Sequence, residues 1–499
     1  MPLPRTNFIS RRELKLQSIL EVAKAMTAER HLDQLLHLIL AQATRVVEAD
    51  RCSLFLLDRE KNELWSKVAQ GARGEIRVKL GSGLAGTVAL TGEAINVPDA
   101  YADDRFEPSF DVTNGYRTGS LLCVPMRDAS GEVTGVLQAL NKKGGDSFTP
   151  EDAELLMALG GQAAVAIENA VLHDEISRLF EGFVQASVVA IESRDPTTAG
   201  HSGRVADLTV TLAQAMEHVT SGPYAQLRFR AHEIQEIRYA SLLHDFGKVG
   251  VREPVLVKAE KLHPHELNGV RQRFEVARQH RHIASYQRRL EALKTRGLLA
   301  LPEIEAQEMA RLSAELAELD RLLELVLACN TPEVVAQRGF EQLDELRRHT
   351  YLDSRGEVRE LLSSDEVKLL SIRRGSLSPE ERTQIQQHVE YTFRFLKQIP
   401  WTRSLRNVPE IAYAHHERLN GRGYPRAIRG DEIPVQSKIM AICDIFDALT
   451  AADRPYKKAI PAAMAFDILR DEADAGLIDG DILRVFIEAE IPRRALGSR

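Results

Sequence analysis

Apolar positions recur with a helical period from Arg12 to about Glu48: Leu16, Ile19, Ala23 and Met26 form one stripe, and Leu32, Leu35, Leu36, Ile39 and Leu40 the next. The period then changes. "RCSLFLLD", "ELWSKVAQ" and "EIRVKL" alternate or run apolar over strand lengths, "SLLCVPM" and "GEVTGVLQALNKK" form a later pair, and glycine-rich turns separate them. "FTPEDAELLMALGGQAAVAIENAVL" returns to a helix, with Thr149 as its expected N-cap and Pro150 at the first helical position. The predicted order is helix, strands, irregular middle, two strands, helix.

Beyond this block the pattern is helical throughout. Leu172, Ile176, Leu179, Phe183, Ala186 and Ala190 recur at alternating spacings of four and three, a heptad stripe that a lone exposed helix would leave wet. It predicts a helix paired with its own copy in a parallel homodimer, or else packed on its own domains. A second heptad region lies between Lys258 and Ser376. Leu267, Val270, Phe274 and Ala277 begin a stripe, and Ile283, Tyr286, Leu290 and Leu293 continue it in a shifted phase. "TRGLLALPE" offers a turn, and Leu312, Leu316, Leu319, Leu323 and Val326 follow. Two antiparallel helices joined by a short loop are predicted. His263, His265, His280 and His282 fall in this stretch and are expected to be solvated helix residues.

At 499 residues the chain is too long for one ordinary core, so two or more domains are expected. A composition of 44% hydrophobic and 27% charged residues with a formal net charge of -7 carries no broad footprint for a nucleic acid polymer or an anionic membrane. Cys52, Cys123, Cys329 and Cys443 are scattered without CxxC pairing, which fits a reducing compartment. The first residues lack an apolar signal core, and no window approaches the roughly 18 uninterrupted apolar residues of a membrane span. A cytoplasmic location is expected.

Candidate chemistry sits in short phrases outside the heptad insert. "GHSGRVADL" holds His201, "LLHDFGKVGV" holds His244, Asp245 and Lys248, "QQHVEYTFRFL" holds His388, "AYAHHERLNGRGYP" holds His415 and His416, and "ICDIFDALTAADRPYKKA" holds Asp444 and Asp447. His244 and Asp245 follow the apolar "YASLL" and Asp444 follows "IMAIC", so both phrases place them at or near a buried helix face. A buried carboxylate beside an imidazole is costly unless a metal or hydrogen bonds compensate. Any one of these histidines could be an ordinary satisfied imidazole. Five histidines and two aspartates together suit zinc, iron or manganese, and the absence of cysteine argues against a thiolate site.

Residues 31–172 resemble a GAF domain, a small-molecule sensing fold with a central antiparallel sheet. "GSGLAGTVALTGEAINVPDAYADDRF", "TGSLLCVPM" and "GVLQALNK" carry the resemblance. Cyclic-nucleotide-binding members carry an Asn-Lys, Phe, Asp-Glu signature. Asn141, Lys142, Phe148 and Asp152 match it, while Ala153 stands in place of the Glu. The resemblance implies a cyclic nucleotide as a candidate ligand, with Lys142 and Asp152 as a supporting pair near the pocket; a surface ion pair in a GAF domain used for another purpose is the alternative.

Residues 193–490 resemble an HD-GYP domain, an all-helical HD-superfamily phosphodiesterase that cleaves cyclic di-GMP. The matching pieces are the "HS.RV" His, the HD-x-GK phrase, the later single His, the HHE-xx-NG-x-GYP phrase and the D-xx-DALT…RPY-K segment. Carried over position by position, His201, His244, Asp245 and Asp444 would hold one divalent metal. Asp245 would bridge to a second held by His388, His415 and His416. Iron or manganese is implied, with hydrolysis of the phosphodiester to pGpG or GMP. Lys248 would face the scissile phosphate and, with Asp245, count as catalytic. Tyr424, Arg454 and Lys457 would hold the ligand, and Asp195 and Asp447 would contact substrate or orient ligands. Gly421 and Gly423 would let the loop approach closely.

Two departures stand out. Members with three metals carry a carboxylate where this chain has Thr197, so two metals are expected, although Glu192 lies nearby. "DALTAADRPYK" is also one residue longer than the common spacing. The predicted fold class is multidomain: an N-terminal helix (1–30), an α+β sensor domain (31–172), a connecting helix (173–192), and an all-α catalytic domain (193–490) with a helical-hairpin insertion at about 259–375. A catalytically silent binding module, or a phosphodiesterase for a mixed cyclic dinucleotide, is the alternative function.

Overall fold

The computed structural model describes residues 24–26, 29, 31–66, 68, 75–145, 147–195, 199–332, 343, 346, 349–353, 355–451 and 459–497. Most of the expected N-terminal helix, and Thr197, Arg454 and Lys457, lie outside the described residues; 24–26 are helical. The chain divides into two compact units, residues 1–182 and 183–499.

In the first unit, α1 (Leu32–Val46) precedes a six-stranded antiparallel sheet of β1 (Ala49–Asp58), β2 (Glu63–Ser66), β3 (Ile76–Lys79), β4 (Ile95–Val97), β5 (Leu121–Arg127) and β6 (Val133–Lys142). The strand order is β3-β2-β1-β6-β5-β4. Helix α2 (Gly83–Thr91) follows β3, α3 (Ser109–Asn114) follows β4, and α4 (Pro150–Arg194) follows β6. Successive strand residues point to opposite faces. Cys52 and Leu54 of β1, paired with Ala139 and Leu137 of β6, face a core with Leu36 and Ile39 of α1 and Leu156 and Leu159 of α4. Phe55 and its partner Val136 face the other side, against Leu84 and Val88 of α2. Both faces of the central strands are covered, which is why "SLLCVPM" runs apolar instead of alternating.

A buried ion pair ties three elements of this unit together. Lys142 Nζ, at the end of β6, lies 3.0 Å from Asp152 Oδ1 and donates to the Val47 carbonyl at 2.9 Å. Asp152 Oδ2 accepts from the Thr149 backbone N–H at 2.9 Å and from its hydroxyl at 3.0 Å, so Thr149 and Asp152 cap α4 reciprocally. Burial opposes ionisation of Asp152, but the Thr149 N–H and Lys142 outweigh it and hold its pKa below the ordinary carboxylate value.

By length and composition, α4 is apolar enough to cross a membrane; half of its most apolar window is buried in protein. Its predicted heptad positions Leu172, Ile176, Leu179, Phe183, Ala186 and Ala190 are all exposed.

The second unit is mainly helical: α5 (His201–Met216), α6 (Ala231–Leu243), α7 (Pro264–Arg296), α8 (Leu301–Asn330), α9 (Ser364–Leu370), α10 (Pro379–Gln386), α11 (His388–Leu396), α12 (Val408–Tyr413), α13 (Val435–Thr450), α14 (Ala462–Asp474) and α15 (Gly480–Glu488). Leu208 and Leu212 of α5, Ile237 of α6, Ile442 and Phe446 of α13 and Phe486 of α15 belong to one buried cluster. A separate cluster forms where Val270, Phe274 and Ala277 of α7 meet Leu319, Leu322 and Val326 of α8. Ion pairs Arg296–Glu303 at 2.6 Å and Arg288–Glu308 at 2.8 Å continue this contact toward the turn, so the two helices run antiparallel.

One expectation for this hairpin is corrected. Ile283, Tyr286 and Leu290 do not continue the α7–α8 seam; they are exposed. The phase shift in the sequence turns them away from α8, and the buried Ser285 and the Arg288–Glu308 pair take the inner face instead.

Asp152→Asn should lower stability at pH 7 by about 2 kcal/mol, because it removes the nearer carboxylate from the largely buried Lys142 and leaves it Glu48 at 3.7 Å. The folded pKa of Asp152 lies below its unfolded value, so its contribution is complete above the unfolded pKa of about 3.9 and is lost as pH falls through the folded value. Denaturant unfolding at pH 7 and at about pH 3 should show the deficit of the variant shrinking in acid; an equal deficit at both pH values would contradict this role.

Candidate metal centre

The seven predicted ligand residues converge, and helix ends deliver most of them. His201 opens α5 after Gly200, whose φ of 68° lies in the left-handed region. Helix α6 ends on the buried Leu242 and Leu243, so His244 and Asp245 emerge in the interior before the 3-10 turn Phe246–Gly250. His388 opens α11, His415 and His416 follow the end of α12, and Asp444 and Asp447 lie one turn apart on α13.

Three of the imidazoles are oriented identically. Nδ1 of His244 donates to the Ser241 carbonyl at 2.7 Å, Nδ1 of His388 to that of Ile385 at 2.6 Å, and Nδ1 of His415 to that of Ala412 at 2.6 Å. A carbonyl can only accept, so each bond places the proton on Nδ1 and leaves the Nε2 lone pair free. All three Nε2 atoms are buried without a hydrogen-bond partner. Such atoms carry the full desolvation cost unless something meets them.

Carboxylate oxygens stand at the same place. Asp245 Oδ2 lies 3.4 Å from His244 Nε2 and 3.7 Å from His201 Nε2, while its Oδ1 lies 3.3 Å from His388 Nε2. Asp444 Oδ1 lies 3.3 Å from His201 Nε2 and 3.9 Å from His244 Nε2. Ligand atoms lie mutually within 4.8 Å in three groups: His201, His244 and Asp245; His388, His415 and His416; and His244, His415 and Asp444. Ligand atoms about 2.0–2.2 Å from a shared ion are separated by distances of this order. The donor set of imidazole nitrogen and carboxylate oxygen, with orphaned lone pairs facing inward, fits divalent metal ions.

The electrostatics divide the histidines: His415 and His416 are held neutral, while His201 and His244, beside Asp444 and Asp245, are held against burial toward the protonated form, which a bound cation would displace. Burial and the neighbouring His244 push His415 down to about 3, and burial with His415 beside it holds His416 well below the ordinary histidine value, so both are neutral imidazoles. Burial opposes the charge on Asp245, yet Lys248 and His244 overcome it and keep its pKa well below the usual carboxylate range. For Asp444, burial is likewise outweighed, by His201 and His244. Burial also works against His201, but Asp444 and Asp447 lift it to about 9.

Several supports surround the ligands. Asp447 Oδ2 sits 2.7 Å from His201 Nδ1, and Arg204 grips Asp447 through Nε at 2.7 Å and Nη2 at 3.1 Å. Asp447 therefore orients the His201 ring. Lys248 Nζ lies 2.8 Å from Asp245 Oδ2 and 3.6 Å from Asp195 Oδ2, which places the predicted lysine and Asp195 at one edge of the cluster. The Tyr424 ring lies tilted against His416, with centroids 4.8 Å apart. The Tyr424 N–H donates to the His416 carbonyl at 3.3 Å, and Gly421, at φ 73°, makes the turn that brings the loop back.

Sequence reasoning missed Arg204 and Thr392. The Thr392 hydroxyl donates to the His244 carbonyl at 2.9 Å and accepts from the Gly247 N–H at 2.8 Å, clamping the Asp245 turn onto α11. Their signal is spacing alone: Arg204 follows His201 by three residues and Thr392 follows His388 by four, so each shares its histidine's helix face.

The first unit has its own candidate ligand site. A cavity of about 370 Å³ is lined by Arg51, Ser53, Phe55, Thr118 and Gln138 among others. The Arg51 guanidinium lies 4.0 Å from the Tyr116 ring centroid. None of Asn141, Lys142, Phe148 and Asp152 lines this cavity. Asn141 instead donates to the Tyr116 hydroxyl at 2.8 Å and accepts from the Gly119 N–H at 2.6 Å, so it supports a residue that does.

Comparison with known proteins agrees with both halves. Residues 31–167 match the GAF domain family and residues 365–482 the HD domain family. The chain thus contains a GAF domain and an HD-family domain. The HD match includes His388, His415, His416 and Asp444, while His201, His244 and Asp245 precede it. The chain is similar to the dual 3',5'-cyclic-AMP and -GMP phosphodiesterase 11 of Drosophila melanogaster, with 36% identity over 192 residues, 34% of this chain and 13% of that protein. It is also similar to the dual 3',5'-cyclic-AMP and -GMP phosphodiesterase 11A of Takifugu rubripes, with 40% identity over 166 residues, 31% of this chain and 18% of that protein. The chain therefore spans less than a fifth of the length of either relative, and the similarity falls on the GAF region. Among solved structures it matches the GAF domain of a phosphoenolpyruvate-protein phosphotransferase from Coxiella burnetii at 25% identity, covering 33% of this chain and 99% of that one, with a TM-score of 0.30.

The Gly247 environment yields a direct test of the clamp. A Cβ there would overlap the His388 carbonyl and the Thr392 backbone nitrogen. Gly247→Ala should therefore cost about 3 kcal/mol and reduce metal content. Unchanged thermal unfolding with full metal content would contradict the close approach.

Proposed function

We propose that this protein is a two-metal phosphodiesterase that hydrolyses cyclic di-GMP, and that a cyclic nucleotide in the GAF cavity tunes it. The observation that carries this reading is the placement of Asp245: one carboxylate oxygen faces His201 and His244, and the other faces His388. A carboxylate so placed can be shared by two ions. His201, His244 and Asp444 would complete one site and His388, His415 and His416 the other.

Two divalent ions, iron or manganese, would supply Lewis acidity toward the phosphate and lower the pKa of an attacking water. The chain's own residues then position and neutralise. Lys248, partly buried beside Asp245 and Asp195, offers a fixed positive charge to a non-bridging phosphate oxygen. Tyr424, held against His416, presents an aromatic face where a guanine would lie, with Arg454 and Lys457 assigned to the same ligand. Attack on phosphorus breaks the bond to the 3' oxygen, which leaves as a hydroxyl once protonated. The product is linear pGpG, and a second hydrolysis gives GMP.

The GAF reading rests on the cavity and on the similarity of that region to the cyclic-nucleotide phosphodiesterases. Arg51 beside Tyr116 suits a phosphate and a planar ring. The exposed heptad stripe of α4 supports a parallel homodimer, through which ligand binding would shift one of two helix arrangements. A cytoplasmic location belongs to the same reading, since cyclic di-GMP is an intracellular messenger.

Purified protein loaded with manganese, or with ferrous iron without oxygen, should convert cyclic di-GMP to pGpG or GMP. Binding without turnover under either metal would overturn the enzyme assignment. Asp245→Ala should lose both ions and all activity, whereas His388→Ala should retain about one ion per chain; metal analysis showing two ions in the Asp245 variant would refute the shared carboxylate. Titration of cyclic AMP and cyclic GMP should show binding of one of them that Arg51→Ala weakens about tenfold, roughly 1.4 kcal/mol. Silence for both nucleotides would remove the sensor assignment and leave the hydrolase untouched.

A further inference from the structure

The outer face of α7 carries an apolar stripe that no element of its hairpin covers. Ile283 is 53% exposed, Tyr286 62% and Leu290 60%, and Val276 belongs to the same row at 37%. Leu293, half-buried, extends it. In heptad notation Val276, Ile283 and Leu290 occupy successive a positions, and Gln279, Tyr286 and Leu293 the d positions. The inner seam against α8 is a different row, made by Val270, Phe274 and Ala277. A single helix thus holds two apolar rows, one used by the hairpin and one with the spacing of a coiled-coil partner surface.

We infer that this outer row pairs with the same row of a second copy of the chain, the two α7 helices running antiparallel. Antiparallel coiled coils place a residues opposite d residues. A two-fold axis beside residues 284 and 285 does so throughout: Val276 meets Leu293 of the second copy, Ile283 meets Tyr286, and Leu290 meets Gln279. The charges at the margins select this direction. In the antiparallel register Glu275 of one copy stands near Arg296 of the other, whose exposed pair with Glu303 it would share, at both ends of the contact. In a parallel register Arg289 would stand beside Lys294, a like-charge pair, also twice.

The row from Val276 to Leu293 is about 27 Å long at 1.5 Å per residue. A seam of that length buries less than the roughly 800 Å² per partner of a standard interface, so the pairing depends on concentration and gains from any other contact that links the copies. The insertion then serves assembly. This inference is independent of the hydrolase reading, since it uses no ligand residue and no activity.

The test is disulfide trapping in the full chain at about 100 µM, a concentration at which any pairing with a Kd at or below it is populated. Val276→Cys and Leu293→Cys are made separately; the native cysteines Cys52, Cys123, Cys329 and Cys443 are all buried, and wild-type protein serves as the control. Under mild oxidation a mixture of the two variants should give a cross-linked dimer joining one of each, while each variant alone should stay monomeric on a denaturing gel. Adding Ile283→Glu and Leu290→Glu to both should abolish the cross-link with the circular dichroism spectrum unchanged. Cross-linking of Val276→Cys with itself would indicate parallel pairing and overturn the inference. So would the absence of any cross-link in the mixture. Absence accompanied by co-sedimentation with phosphatidylserine vesicles that Leu290→Glu prevents would assign the row to a lipid surface instead.

Discussion

Buried lone pairs must be met. In the second unit the Nε2 atoms of His244, His388 and His415 are each turned inward by a hydrogen bond on the opposite nitrogen and find no protein donor. Each such atom would cost on the order of 1–3 kcal/mol if left alone. The buried carboxylates of Asp245 and Asp444 beside them would be costlier still without compensation. Divalent cations satisfy both requirements at once. Much of the local architecture can be understood as arranging helix ends so that these groups arrive together.

The supports follow from the same constraint. A ligand histidine is useful only if its tautomer is fixed, and backbone carbonyls do this for three rings while Asp447, gripped by Arg204, contacts the Nδ1 of His201. A shared carboxylate must also be held rigidly. Gly247 and Thr392 clamp the turn that follows Asp245, and Lys248 balances its charge. The Tyr424 loop folds back onto His416, which brings an aromatic ring to the rim of the cluster. The GAF unit applies a comparable economy, since its Lys142–Asp152 pair joins three elements while leaving the cavity walls to other residues.

The sequence made the α+β unit legible because its strands are bounded by glycine turns and its helices by caps such as Thr149. The seven ligand-type residues were legible for a different reason: each lies in a short phrase whose order is distinctive. Arg204 and Thr392 were not, because an arginine or threonine one turn along a helix is ordinary until the partner it faces is known. The insertion shows the limit of periodicity. The shifted phase of Ile283, Tyr286 and Leu290 is visible in the sequence, but an apolar stripe specifies a face and not what covers it, so periodicity alone places it in the hairpin seam. In the structure, Arg288 and Glu308 occupy that seam instead. The role of Asn141 was likewise hidden, since its partner Tyr116 lies far from it in sequence.

The central claim is that one carboxylate, Asp245, joins two metal ions. Electron paramagnetic resonance of the manganese-loaded protein tests it most directly, because ions bridged by a shared ligand are magnetically coupled. A multiline spectrum of an exchange-coupled pair, lost in Asp245→Ala, is the predicted result. The six-line spectrum of isolated manganese, unchanged by that substitution, would contradict it.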